Sequence, residues 1–108
     1  YERHNAMPTM VHAGVYSAVT NYLKAVKATG SDDSDTVRAE LGDMTLNDMF
    51  VKGGKILPNG SMLHDMYLVE VKKPDEASEE WDLLRVVSKI PADQAYISLE
   101  DTKCSLVN

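Results

Sequence analysis

Cysteine is almost absent: Cys104, close to the end of the chain, is the only one. A single cysteine excludes an intrachain disulfide framework. It is either a free buried thiol or the partner of a cysteine elsewhere in a longer protein. No apolar run is long enough to span a membrane. Basic residues are in the minority, with 11 Lys and Arg against 17 Asp and Glu and a net charge of −6. That balance excludes the basic footprint on which nucleic-acid binding depends. The opening Tyr1-Glu2-Arg3-His4 has no apolar core and no initiator Met, so it is not a signal peptide. The expectation is a chain that starts inside a larger protein or after processing.

What is present fits at most one domain: 108 residues, 44% of them hydrophobic, enough to bury a core. Pro8 suits the first turn of a helix, with Thr9 beside it, and Met10/Val11, Ala13/Gly14, Ala18, Tyr22 and Ala25/Val26 recur at helical spacing, with Val15, Val19 and Leu23 widening the stripe. Lys24, Lys27 and then Gly30 form a natural stop. The predicted helix is about 30 Å long at ~1.5 Å per residue. Ser31-Asp32-Asp33-Ser34-Asp35 is a polar link rich in capping residues, and a second helix runs from it through Val37, Ala39 and Leu41 to Gly42. Residues 43–49 read as an irregular connection. Short strands follow around Phe50-Val51, Lys55-Ile56-Leu57 and Met62, with turns at Gly53-Gly54 and Pro58-Asn59-Gly60. Residues 65–72 form the clearest strand, with Tyr67, Val69 and Val71 on one face. Residues 73–80 form a polar loop, 81–87 a further strand, and Pro91-Ala92-Asp93 a short turn.

Chemistry-bearing motifs are fragmentary. Gly53-Gly54-Lys55 lacks the bracketing glycines and following Ser/Thr of a phosphate loop, so a turn is expected. Asp32, Asp33 and Asp35 lack the central Gly and distal Glu of a calcium loop and read as helix capping. His4, His12 and His64 match no zinc spacing. Ser17 has no nucleophile elbow around it, and Cys104 has no activating context. Asn59-Gly60-Ser61 matches a glycosylation sequon, which turn chemistry also explains. No catalytic residue, metal site or cofactor is assigned.

The order of the segments is more telling than any of them alone. Pro8-Thr9-Met10-Val11-His12-Ala13-Gly14-Val15-Tyr16-Ser17-Ala18 runs on to Tyr22-Leu23-Lys24-Ala25-Val26-Lys27. Lys55-Ile56-Leu57-Pro58-Asn59-Gly60-Ser61-Met62 then leads to Asp65-Met66-Tyr67-Leu68-Val69-Glu70-Val71-Lys72. Nearly the whole chain resembles the carboxy-terminal portion of a branched-chain amino-acid-type solute-binding protein, a type I periplasmic binding protein of an ABC importer. The resemblance implies an α/β fold fragment with two helices followed by a hairpin and strands. Residues 1–64 would be the end of lobe 1, 65–74 the last crossing strand and 75–108 the end of lobe 2. It implies a non-catalytic, periplasmic protein that binds a small molecule and hands it to an ABC permease. The helix entry, where such proteins pack a side chain on the ligand, maps to Met10, Val11, His12 and Ala13, so Val11, His12 and Ala13 are the expected ligand contacts. An aromatic is common there in amino-acid binders, and residues 10–13 contain none. That extends the implied ligands to amides, urea or aromatic acids. Because each lobe piece would lack the sheet it packs on, the chain by itself is expected to be a homo-oligomer. The rival reading is a free-standing α+β oligomeric interaction module; an enzyme fragment ranks lowest.

Overall fold

The computed structural model describes residues 1–105 and 107. Helices α1 (Met10–Thr29) and α2 (Ser34–Asp43) precede a three-stranded antiparallel sheet of β1 (Leu46–Asn47), β2 (Lys52–Ile56) and β3 (Met62–Leu63). A separate antiparallel pair follows, β4 (Met66–Val71) and β5 (Leu84–Ile90), and then a one-turn helix, α3 (Ala92–Ala95).

Helix α1 starts at Met10 with Thr9 as its N-cap, so Pro8 precedes the cap and is not in the first turn, while the far end is as expected. Gly30 adopts φ 66° and its N–H donates to the Val26 carbonyl at 2.9 Å, a left-handed cap that glycine adopts without a Cβ clash. The buried face is not the predicted one. Val11, Val15, Val19 and Tyr22 are between 45% and 65% exposed. Ser17 and Asn21, outside the predicted stripe, are buried instead, in line at intervals of four residues with Ala25, the one member of that stripe that is buried. Small side chains let α1 approach α2 and the β1–β2 connection, where Ser17 and Asn21 both donate to Asp48. A helix apolar on one face and buried on another has more than one surface to cover. The compact part of the chain is small: among the described residues the buried hydrophobic ones are Ala25, Val37, Leu46 and Val51.

In α2, the Asp33 carboxylate accepts from Thr36 N–H at 2.9 Å and Thr36 Oγ1 at 2.8 Å, the capping role expected of the acidic cluster. These bonds from Thr36 hold the Asp33 carboxyl below its ordinary value. Arg38 reaches out of α2 to the Leu57 and Pro58 carbonyls, both at 3.1 Å, and so ties the helix to the β2–β3 turn.

Three local expectations need correction. Residues 43–49 are not irregular throughout, because they contain β1, whose Leu46 is among the most buried side chains. A polar neighbourhood concealed a single core residue. Gly53-Gly54 is not a turn but part of β2. Leu46 pairs with Gly54 and Asn47 with Lys52, leaving Gly53 as an extra residue at φ 72°. This is a glycine β-bulge. A Cβ on Gly54 would lie 2.6 Å from Val51 Cγ2, so the strand passes too close for any side chain. The last strand is Leu84–Ile90 rather than 81–87. Asp82 accepts from Lys72 Nζ at 2.6 Å and from the Ser78 N–H and hydroxyl at 3.1 and 2.8 Å, which holds residues 81–83 in the turn. Trp81 stacks on Tyr1 with ring centres 4.0 Å apart.

The Asn59-Gly60 turn forms as predicted, with Gly60 at φ 84° and Leu57 N–H bonded to the Ser61 carbonyl at 2.8 Å. Strands β4 and β5 pair from Met66 with Ile90 to Val71 with Leu84, with a register shift at Leu68/Val69. Every residue of both strands is exposed, so this pair has no layer on either face. The radius of gyration is 17.3 Å, against about 13 Å for a compact domain of this length. The α/β elements are present, but they do not close into one core. Cys104 is half-buried and unbridged.

Candidate functional site

The entry of α1 is built by its cap. Thr9 N–H donates to His12 Nδ1 at 3.1 Å, and Thr9 Oγ1 lies 2.9 Å from the same nitrogen. A backbone N–H can only donate, so Nδ1 is the accepting nitrogen and the neutral ring carries its proton on Nε2. His12 therefore fills the position that Glu or Gln holds in a capping box, and it retains one N–H donor. Its ring lines a hollow of about 460 Å³ together with Thr9, Met10, Ala13, Tyr16 and Met49.

A second groove, of about 560 Å³, adjoins it at Met10. Its walls are Met10 and Val11 from α1, Phe50 from the β1–β2 connection, His64 and Asp65 from the link before β4, and Met66 and Tyr67 from the start of β4. Both volumes lie within the range of small-molecule sites, about 300–1,000 Å³, and the lining is mainly apolar with a few polar groups, as such sites are. His64 Nδ1 lies 2.9 Å from the Asp65 carbonyl, which can only accept. Nδ1 therefore donates, and the neutral ring leaves Nε2 as an acceptor. The ring sits edge-on between Phe50 and Tyr96, with centres 5.1 and 5.7 Å away. This ladder joins the β1–β2 connection, the link before β4 and the residue after α3. Burial pushes the Tyr96 phenol up.

Asp65 is already engaged. Lys89 Nζ lies 2.5 Å from Oδ2, and Ala92 N–H donates to Oδ1 at 3.1 Å. The Lys89 hydrogen bond, together with that from Ala92 and the Lys89 charge, lowers the Asp65 carboxyl, and the Asp65 hydrogen bond and charge raise the Lys89 ammonium. This carboxylate braces β4 against β5 and α3 rather than standing open to a ligand. His12 Nε2–H and His64 Nε2 offer one donor and one acceptor at the grooves, and the hydroxyls of Tyr16 and Tyr67, which line the smaller and the larger groove, can do either. Among the described residues no cluster of three or more His, Cys, Asp or Glu is placed to hold a metal ion.

Residues 1–77 match the family described as periplasmic binding protein, well over half of the sequence. The chain belongs to the periplasmic binding protein family. Its fold is that of two solved members. One is a periplasmic binding protein from Burkholderia mallei, 51% identical over 94% of this chain with a TM-score of 0.89. The other, from Burkholderia xenovorans, is described as a branched chain amino acid ABC transporter periplasmic ligand-binding protein. It is 39% identical over 100% of this chain with a TM-score of 0.93. This chain spans 27% and 29% of the length of those two proteins. Among curated proteins, none matches the chain.

For a member of this family, the sequence-predicted contacts fall in two adjoining places. Val11 lines the larger groove, while His12 and Ala13 line the smaller one, and Met10 belongs to both. Sequence reasoning found no aromatic near the helix entry, but Tyr16 lies one turn beyond His12 and lines the same hollow. The i, i+4 spacing of His12 and Tyr16 was the signal for it. Phe50, His64 and Tyr67 were also missed. They come from separate elements, and no local pattern points them toward α1.

Proposed function

We propose that this chain supplies part of the cleft wall and hinge of a non-catalytic, periplasmic solute receptor. The receptor delivers amino acids or related small polar or aromatic solutes to an ABC permease. Residues 1–64 and 75–108 belong to its two lobes, and 65–74 is a crossing between them. The observation that supports this most directly is the apolar groove in which Met10 and Val11 of the α1 entry face Phe50 and the start of β4. A solute suited to these walls has an apolar body. The donor at His12 and the acceptor at His64 match a molecule with both an acceptor and a donor, as an amino acid has. That chemistry agrees with the branched chain amino acid transport for which the Burkholderia xenovorans relative is named. Val11, His12 and Ala13 are the α1 residues assigned to the solute.

Calorimetry on the complete protein, with leucine and phenylalanine as probes, tests the assignment. Val11→Ala or His12→Ala is expected to cost ~1–2 kcal/mol of binding, the scale of a lost buried contact or hydrogen bond. Unchanged affinity in both variants overturns the placement of the solute. The receptor is expected to turn over no ester, amide or phosphate substrate. Hydrolysis abolished by His12→Ala or His64→Ala alone would refute the non-catalytic reading.

A further inference from the structure

Asp48 sits directly before the Met49-Phe50 tip of the β1–β2 connection, and both tip residues line the grooves described above. Its carboxylate gathers two sets of bonds. Oδ2 accepts from Ser17 Oγ and Asn21 Nδ2, each at 2.7 Å. Oδ1 accepts from the N–H groups of Phe50 at 2.8 Å and Val51 at 2.9 Å. Ser17 and Asn21 are 1% and 3% exposed, the two buried polar side chains among the described residues. They follow Ala13 at intervals of four residues on one stripe of α1. One carboxylate thus fastens the backbone of the tip to the same helix that carries Met10, Val11 and Ala13. All four donors are uncharged, so direction rather than charge pairing sets the geometry.

We infer that Asp48 is the positioning residue of the solute groove: it sets the spacing between the α1 entry and Phe50, and with it the size of solute accepted. This role rests on the proposed reading of the groove. Asp48 touches neither groove itself and acts through Met49 and Phe50. Its importance follows from hydrogen-bond direction. In Asp48→Asn one oxygen becomes an amide nitrogen, and with Oδ1 kept on the Phe50 and Val51 N–H groups it meets the Asn21 amide donor to donor.

The test uses the complete protein with Asp48→Asn and, as a milder variant that keeps the carboxylate, Ser17→Ala. Without solute, amide exchange at Phe50 and Val51 is expected to accelerate about tenfold or more in Asp48→Asn, while β4–β5 amides keep their rates. With leucine and phenylalanine as probes, both variants are expected to shift the ratio of the two affinities by roughly threefold to tenfold. A purely structural role would lower the melting temperature and leave that ratio in place. Unchanged exchange at Phe50 and Val51, or an unchanged ratio in variants that still bind, overturns the positioning role alone. A wild-type protein that binds neither probe overturns the groove reading and this role with it.

Discussion

Expressed by itself, the 108-residue chain is expected to self-associate. Its accessible surface is 8414 Å², whereas a compact monomer of this mass exposes about 6,000 Å². The excess, roughly 2,400 Å², exceeds the ~1,600 Å² buried in a standard protein–protein interface. The excess is not spread evenly. It lies on the α1 face bearing Val11, Val15, Val19 and Tyr22, and on β4 and β5, whose residues are all exposed. Unpaired strand edges and apolar faces recruit other chains, and exchange of equivalent elements between copies is a low-cost route to covering them. Light scattering coupled to size exclusion, with small-angle scattering across a concentration series, measures the result. A dimer or higher assembly is expected, and restoring the rest of the receptor should abolish it. A stable monomer with a radius of gyration near 13 Å and cooperative unfolding would refute the reasoning and favour a free-standing module.

Acid should loosen the Asp48 connection. Burial raises that carboxyl, but the bonds from Ser17, Val51, Phe50 and Asn21 outweigh it and bring it down to about 2. The folded value lies below the unfolded one, so its contribution is complete above pH ~4 and is lost as pH falls toward 2. After allowance for partial solvent exposure this amounts to ~1–2 kcal/mol. A carboxyl carbon NMR titration of Asp48 with a midpoint near its ordinary value would remove the basis for this. Gly54→Ala places a methyl group 2.6 Å from Val51 Cγ2 and 3.2 Å from the Leu63 carbonyl, and should destabilise the β1–β2–β3 sheet by ~1–3 kcal/mol. Urea unfolding of the complete protein checks it, and a neutral effect would mean that the strand shifts freely.

Local rules read directly from the residues gave the helices and their ends. Gly30, Asp33 and Thr9 act through their own backbone and near neighbours, so their roles were visible without a fold, whereas Pro8 falls one residue ahead of the cap and not in the first turn. The same holds for the Asn59-Gly60 turn. The order of the segments pointed to the family and, through it, to Val11, His12 and Ala13. The burial of α1 was decided elsewhere. Its apolar periodicity was correctly read, and Ala25 of that stripe is buried, yet Ser17 and Asn21 are buried where the larger apolar residues are not, because they meet the Asp48 carboxylate at hydrogen-bond distance. Gly53-Gly54 looked like a turn because glycine signals backbone freedom without stating its use. The pairing of Leu46 with Gly54 made it a bulge. The Phe50–His64–Tyr96 ladder was illegible for a simpler reason. Its members lie 14 and 32 residues apart in sequence, and nothing in a local pattern encodes a contact that exists only after the intervening strands have paired.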